Sequence, residues 1–237
     1  MALFRYDEAV LERFPTTVGG LVRAEGLQNG PSPPALADAF RIEQEQALER
    51  LGSASVGTLP SIAAWRRVFA AFGVEPTRYR NAAEALLRRL TKQGEVPSVS
   101  TLVDIGNLVS LRYRMPVAVL DLAGISGEIT VRFADGTEEY TDLAGGTAEH
   151  PPAGEVIFAD DGRTVHARRW CWRQSARSAA GPDTREILVA VEGQHDTAVD
   201  DVSAAVADLR QLLGEHSGEA EVEGALLTAD NASFRGR

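Results

Sequence analysis

The chain has 237 residues, 44% of them hydrophobic and 24% charged, and a formal net charge of -10 at pH 7. This is globular composition with enough chain for a sizeable core, no run of about 18 apolar residues is present to span a membrane, and the acidic balance argues against broad, nonspecific nucleic-acid binding. A single cysteine, Cys171, excludes an intramolecular disulfide and a cysteine-based zinc cage, and the acidic start MALFRYDEAVLERF lacks the pattern of a secretory signal, so the expected location is the cytoplasm.

In chain order, Thr16 to Gly26 reads as a strand around a glycine pair, bounded by Pro15 and the turn-rich LQNGPSPP. Ala35 to Leu51 and Ser61 to Phe72 have the apolar spacing of amphipathic helices, the second stopped by Gly73. Tyr79 to Gly94 is a third helical segment. A fourth runs from a serine or threonine cap near Ser98 to about Leu111. The pattern then changes to short strands: Met115 to Leu122, Ile129 to Phe133, Glu155 to Phe158, Thr164 to Trp172 and Ile187 to Val191, separated by Gly- and Asp-rich turns. Thr197 to Leu213 closes the order as an amphipathic helix. Helices in the N-terminal half and short antiparallel or mixed strands in the C-terminal half predict an α+β fold. The expected organisation is 1–78 as an N-terminal strand and helices of the same globular unit, 79–214 as the core, and 215–237 as an acidic tail, loosely held.

Charge is unevenly spread. Between Arg66 and Arg114 there are nine bases, Arg88 and Arg89 among them, against four acids. Such a sector fits one oriented anionic partner or, as plainly, a set of solvated helix faces. The fourth helix is apolar over most of its circumference, yet Thr101, Asp104, Asn107 and Ser110 recur every three residues along one drifting stripe. A buried carboxylate needs partners. Asp104 and Asn107 therefore either brace neighbouring loops or form the polar wall of a pocket, and Gly106 lets a ligand or a strand come close.

In HARRWCWRQSARS, alternation along a strand would place His166, Arg168, Trp170 and Trp172 on one side. Two tryptophans among arginines, Arg173 included, can stack a base and bind phosphate, or simply pack under arginine stems. The four histidines have no metal-ligand spacing, and no Walker loop, GxGxxG or GxSxG elbow is present. No metal and no cofactor are expected. Asp160 and Asp161 precede Gly162 in a turn and read as turn chemistry.

The segment LLRRLTKQGEVPSVSTLVDIGNLVSLRYRMPVAVLDL carries V-D-x-x-N followed by P-x-x-x-x-D, with Asp104, Asn107, Pro116 and Asp121 at those positions. Further on, VRFADGTEEY, EVIFAD and DTREILVAVEG (with Thr184) continue the pattern. From about Tyr79 to Val191 the chain resembles the B3/B4 domain of the bacterial phenylalanyl-tRNA synthetase β subunit, and is most similar to free-standing B3/B4-domain proteins. In the synthetase that domain forms the editing pocket which hydrolyses tyrosine mischarged onto phenylalanine tRNA. The resemblance implies a pocket between the Asn107 helix, the strand after Pro116 and the strands around Trp170 to Thr184. It implies Asp104 and Asn107 as catalytic candidates, and Pro116, Asp121, Trp170, Trp172, Arg173, Thr184, Arg88 and Arg89 as binding candidates. It departs from the family at Ala118, where many editing sites have histidine, and at Ala176, where a glutamate would fall. Two functions follow as expectations: hydrolysis of mischarged aminoacyl-tRNA in trans, or a noncatalytic RNA-binding or amino-acid-binding module. Either way the implied partners are tRNA or aminoacyl-tRNA and an amino-acid moiety in a pocket, with no membrane. Aminoacylation itself is excluded, since no ATP-binding catalytic domain is identifiable.

Overall fold

The computed structural model describes residues 3–236. The N-terminal part holds β1 (Phe4–Tyr6), α1 (Glu8–Arg13), β2 (Val18–Glu25), α2 (Pro34–Leu51), α3 (Pro60–Ala71), α4 (Ala82–Gln93) and α5 (Thr101–Tyr113). Short strands follow: β3 (Val117–Asp121), β4 (Ile129–Phe133), β5 (Glu139–Tyr140), β6 (Val156–Ala159), β7 (Thr164–Arg168), β8 (Arg173–Gln174) and β9 (Glu186–Gly193). The chain ends with α6 (Ala198–His216), β10 (Glu221–Leu227) and β11 (Ser233–Phe234). This is the α+β organisation expected. The boundaries have local causes. Asn81 caps α4 by accepting from the Glu84 amide at 2.9 Å, and Gly94 ends it in the left-handed conformation at φ 82°.

Two sheets form. One runs β11-β1-β4-β6-β7-β5, with β8 on β7; the other runs β10-β2-β9-β3. In the second sheet, alternation sends Val18, Val22, Val119, Val189 and Val191 to one face, against α2, α4, α5 and α6. Leu21, Leu120, Leu188 and Ala190 go to the other face, toward the first sheet and an aromatic core of Phe4, Phe14, Trp65, Phe69, Phe158 and Trp170. The glycine pair in β2 serves both faces. A Cβ on Gly20 would strike Val202 and Val206 of α6, and one on Gly19 would overlap the Tyr6 hydroxyl.

Gly106 likewise lets α5 approach a strand: a Cβ there would lie 2.8 Å from the Val119 side chain. The segment from 215 onward, expected as a tail, contributes β10, paired antiparallel to β2 from Glu221↔Glu25 to Leu227↔Gly19, and β11, paired to β1. Its sequence hides the strand because an edge strand buries little. The residues of β10 are mostly half-exposed and mixed with glutamates, so no clean alternation marks it. No helix among the described residues is long and apolar enough to cross a membrane.

Candidate functional site

The inter-sheet face of β3 and β9 carries small side chains where they pair, Ala118 opposite Ala190. Across from them lies the turn that joins β7 to β8. The space left between is a cavity of about 130 Å³, lined by Pro116, Ala118, Trp170, Cys171, Trp172 and Glu192 among others. Gln174 closes one side, its Nε2 donating to the carbonyls of Val119 at 2.6 Å and Ser178 at 2.9 Å, which ties β8 to the edge of β3.

Glu192 is the carboxylate of this cavity, and only 3% of it is exposed. Its Oε1 accepts from the Tyr6 hydroxyl at 2.6 Å and from Trp170 Nε1 at 2.9 Å. Oε2 takes no hydrogen bond from the described residues. Burial raises the Glu192 carboxyl to about 7, against the opposing pull of the Trp170 and Tyr6 donors. The same burial, with Glu192 beside it, pushes the Cys171 thiol well up, so the cysteine is a poor nucleophile here. Tyr6 is positioned by Gly19. Gly19→Ala is expected to force the ring away from Glu192; loss of a Tyr6 hydroxyl resonance protected from solvent exchange by NMR would report it.

Sequence reasoning missed Glu192 and Tyr6. The available signal was a lone acid in the apolar run ILVAVEG, on the same face as Leu188 and Ala190. Nothing local marks Tyr6, which reaches the site from β1 at the other end of the chain.

The opposite wall is backbone held in an unusual shape. The strand predicted through Trp172 stops at Arg168, because Arg169 (φ 44°) and Trp170 (φ 63°) turn left-handed. Bulky residues resist that conformation. Here it is over-determined: Trp170 N donates to Val156 O at 2.6 Å, Arg169 N to Glu155 Oε1 at 3.0 Å, Trp172 N to Arg168 O at 3.1 Å and Ala82 N to Cys171 O at 2.8 Å. The turn breaks the alternation. Trp170 goes fully into the core, edge-on to Trp65 at 5.2 Å and Phe14 at 5.3 Å. Trp172 stays half-buried at the cavity, with Arg169 over its ring at 4.3 Å and Arg173 at 4.8 Å.

Of the residues singled out in the sequence, Pro116, Trp170, Trp172 and Arg173 meet at the cavity. Asp121 and Thr184 meet each other, Thr184 Oγ1 donating to Asp121 Oδ2 at 2.5 Å while Asp121 Oδ1 accepts from Ala123 N. Asp104 and Asn107 do not line the cavity, because α5 packs on the other face of the sheet. The Asp104 carboxylate is fully buried and accepts from Ser32 Oγ at 2.6 Å, from Ser98 Oγ and from Val99 N at 2.8 Å. Asn107 is half-buried, with no side-chain hydrogen bond among the described residues. Arg88 converges with Arg66 and Arg80 on the buried Glu84 carboxylate, at 2.9, 2.8 and 3.9 Å, while Arg89 is exposed on α4. Asp160 accepts from Ser126 N and Thr164 N, each at 2.8 Å, which is turn chemistry.

The family model of the B3/4 domain matches residues 64–210. The chain belongs to the B3/4 domain family. The chain is similar to segments of curated phenylalanine–tRNA ligase beta subunits. It is 29% identical to that of Shewanella oneidensis over 92 residues, 39% of this chain and 11% of the relative. For Chromobacterium violaceum the figures are 37% over 81 residues, 34% and 10%. For Cereibacter sphaeroides they are 28% over 142 residues, 60% and 16%. The alignments thus span between 10% and 16% of the length of these relatives. Among solved structures, an N-terminal fragment of the phenylalanyl-tRNA synthetase beta subunit from Pyrococcus horikoshii aligns with 93% of this chain and 50% of its own, at a TM-score of 0.47 and 14% identity. Tyr6 lies outside the matched B3/4 segment, so one of the two donors that hold Glu192 comes from beyond it.

Proposed function

We propose that this B3/4 domain hydrolyses the ester of a mischarged aminoacyl-tRNA in trans, and that Glu192 is its general base. The observation that carries the reading is the buried Glu192 carboxylate, with Oε1 held by Tyr6 and Trp170 and Oε2 left for a ligand in the cavity. A water held by Oε2 can attack the ester carbonyl as Glu192 takes its proton. The bond from the carbonyl carbon to the ribose oxygen then breaks, and the proton returns to that oxygen as it leaves. A base that titrates near neutrality suits this work. An aminoacyl ester is activated, so positioning and one base supply most of what the reaction needs. The small walls at Ala118 and Ala190 give room for the aminoacyl group, and Trp172 with Arg173 flanks the entry. In this reading Asp104 braces the loop that leads into α5, and Thr184 with Asp121 braces the end of β3.

A second reading, binding without chemistry, is favoured by Ala118 and Ala176, the positions where the resemblance places a histidine and a glutamate. One assay separates them. Labelled amino acid released from a panel of mischarged tRNAs, beginning with tyrosyl-tRNA for phenylalanine, is expected to exceed the buffer rate. Turnover is expected to survive Asn107→Ala. Retention of tRNA on a filter with no release across the panel would leave a binding module.

A further inference from the structure

On the far side of the strained turn from the cavity is a groove of about 450 Å³ between α1, the loop before α4 and the turn before β6. Arg169 and Arg13 line it with Tyr79. The Arg169 guanidinium packs into the corner formed by two rings that meet edge-on at 5.1 Å, 3.9 Å from the Tyr79 ring centre and 4.3 Å from that of Trp172. Its Nη1 is buried with no hydrogen-bond acceptor. The nearest carboxylate does not supply one. Glu155 lies 3.8 Å from Arg169 Nε, and both its oxygens are taken by Arg168 at 3.0 Å. Burial correspondingly lowers the Arg169 guanidinium from its ordinary value. Arg13 and Arg78, the latter over the Tyr79 ring at 5.1 Å, form no ion pair among the described residues.

A cation buried without an acceptor is costly, and a left-handed backbone at the same residue adds to that cost. The hydrogen bonds of the turn offset the second cost, and the two rings with Glu155 offset part of the first, but Nη1 itself is left without an acceptor. The acceptor that fits a guanidinium fork beside further arginines is a phosphate oxygen. Stacking is not directional within the ring plane, so a small slide of the guanidinium would bring Nη1 to the groove. Because Trp172 lies against Arg169 and also lines the cavity, a strand whose end enters the cavity would run its backbone past this group.

We propose that Arg169, packed against the Tyr79 and Trp172 rings, binds a phosphodiester group of the RNA strand whose aminoacylated end enters the Glu192 cavity. The site rests on the hydrolase reading for the direction of the strand, but its test reads binding alone. The probe is the oligoribonucleotide CCA, the 3′ end shared by tRNAs, added to protein labelled with ¹⁵N at arginine. The Arg169 side-chain signal, assigned by its loss in Arg169→Lys, is expected to shift. Arg169→Lys is expected to weaken CCA binding about tenfold, and Arg169→Met to reduce the salt dependence of binding by about one unit of slope. Inorganic phosphate at the same concentration is expected to leave the signal in place. An unmoved Arg169 signal at saturating CCA would overturn the proposal. So would CCA binding of wild-type strength in Arg169→Met, or inorganic phosphate binding as tightly as CCA. The conservative Arg169→Lys is needed only for the assignment; the shift itself is read on the wild-type protein. Failure of the hydrolase reading would show separately, as tRNA bound and shifted Arg169 with no release of amino acid.

Discussion

Glu192→Gln is expected to lower aminoacyl-ester hydrolysis by about a hundred- to ten-thousand-fold, the usual range for loss of a general base. Glutamine keeps an oxygen for Tyr6 and Trp170, so the cavity is retained while the base is removed. Wild-type kcat/KM should rise with pH and level off above about 7, the value to which burial pushes this carboxyl, and the variant should lose that dependence. Single-turnover release at several pH values checks both; a variant that turns over like the wild type would remove Glu192 from the chemistry. The same shift has a consequence for stability. A carboxyl whose folded value is raised binds a proton more readily when folded, so it supports the fold at low pH and loses that contribution as pH climbs from about 4.5 to about 7. Ionising Glu192 then costs the fold up to about 3 kcal/mol above that window. Glu192→Gln should therefore be more stable than the wild type at pH 8, with the advantage shrinking toward pH 5. Denaturant unfolding at both pH values measures it. In the hydrolase reading, a base whose ionisation destabilises the fold follows the usual trade between function and stability.

Asp104→Ala is expected to destabilise the protein by about 2–4 kcal/mol, since it strands several donors at once. Ser32 Oγ, Ser98 Oγ and Val99 N all converge on this one fully buried carboxylate, which ties the loop after β2 to the segment entering α5. Hydrolysis per folded molecule should be unchanged, because α5 lies behind the sheet from the cavity. Urea unfolding together with turnover at a temperature where both proteins are folded tests the pair of outcomes. Lost turnover at wild-type stability would return Asp104 to the catalytic machinery.

The legibility of the fold differs from that of the site. The long helices and the central strands could be read because each buries one face, and burying one face imposes a period on the chain. Val18 to Glu25, with its glycine pair, and Thr101 to Tyr113, with Gly106, are such elements. Edge strands such as β10 bury too little to leave that mark. The strand read through Trp172 ends early because, although alternation continues through Arg169 and Trp170, their amides donate to Glu155 Oε1 and Val156 O and the backbone turns left-handed instead. The polar stripe of α5 was legible as a set of buried polar groups. Which groups it would bond was not.

By itself the sequence determined the α+β class, the order of the main elements and the B3/B4 resemblance, because these rest on local periodicity and on motifs whose residues are close in the chain. Only the tertiary structure decided the candidate site. Glu192, Tyr6 and Trp170 are joined by hydrogen bonds that span up to 186 positions of chain, and the proton affinity of Glu192 follows from burial between two sheets. Neither the long-range pairing nor the desolvation is a property of any stretch of residues taken alone.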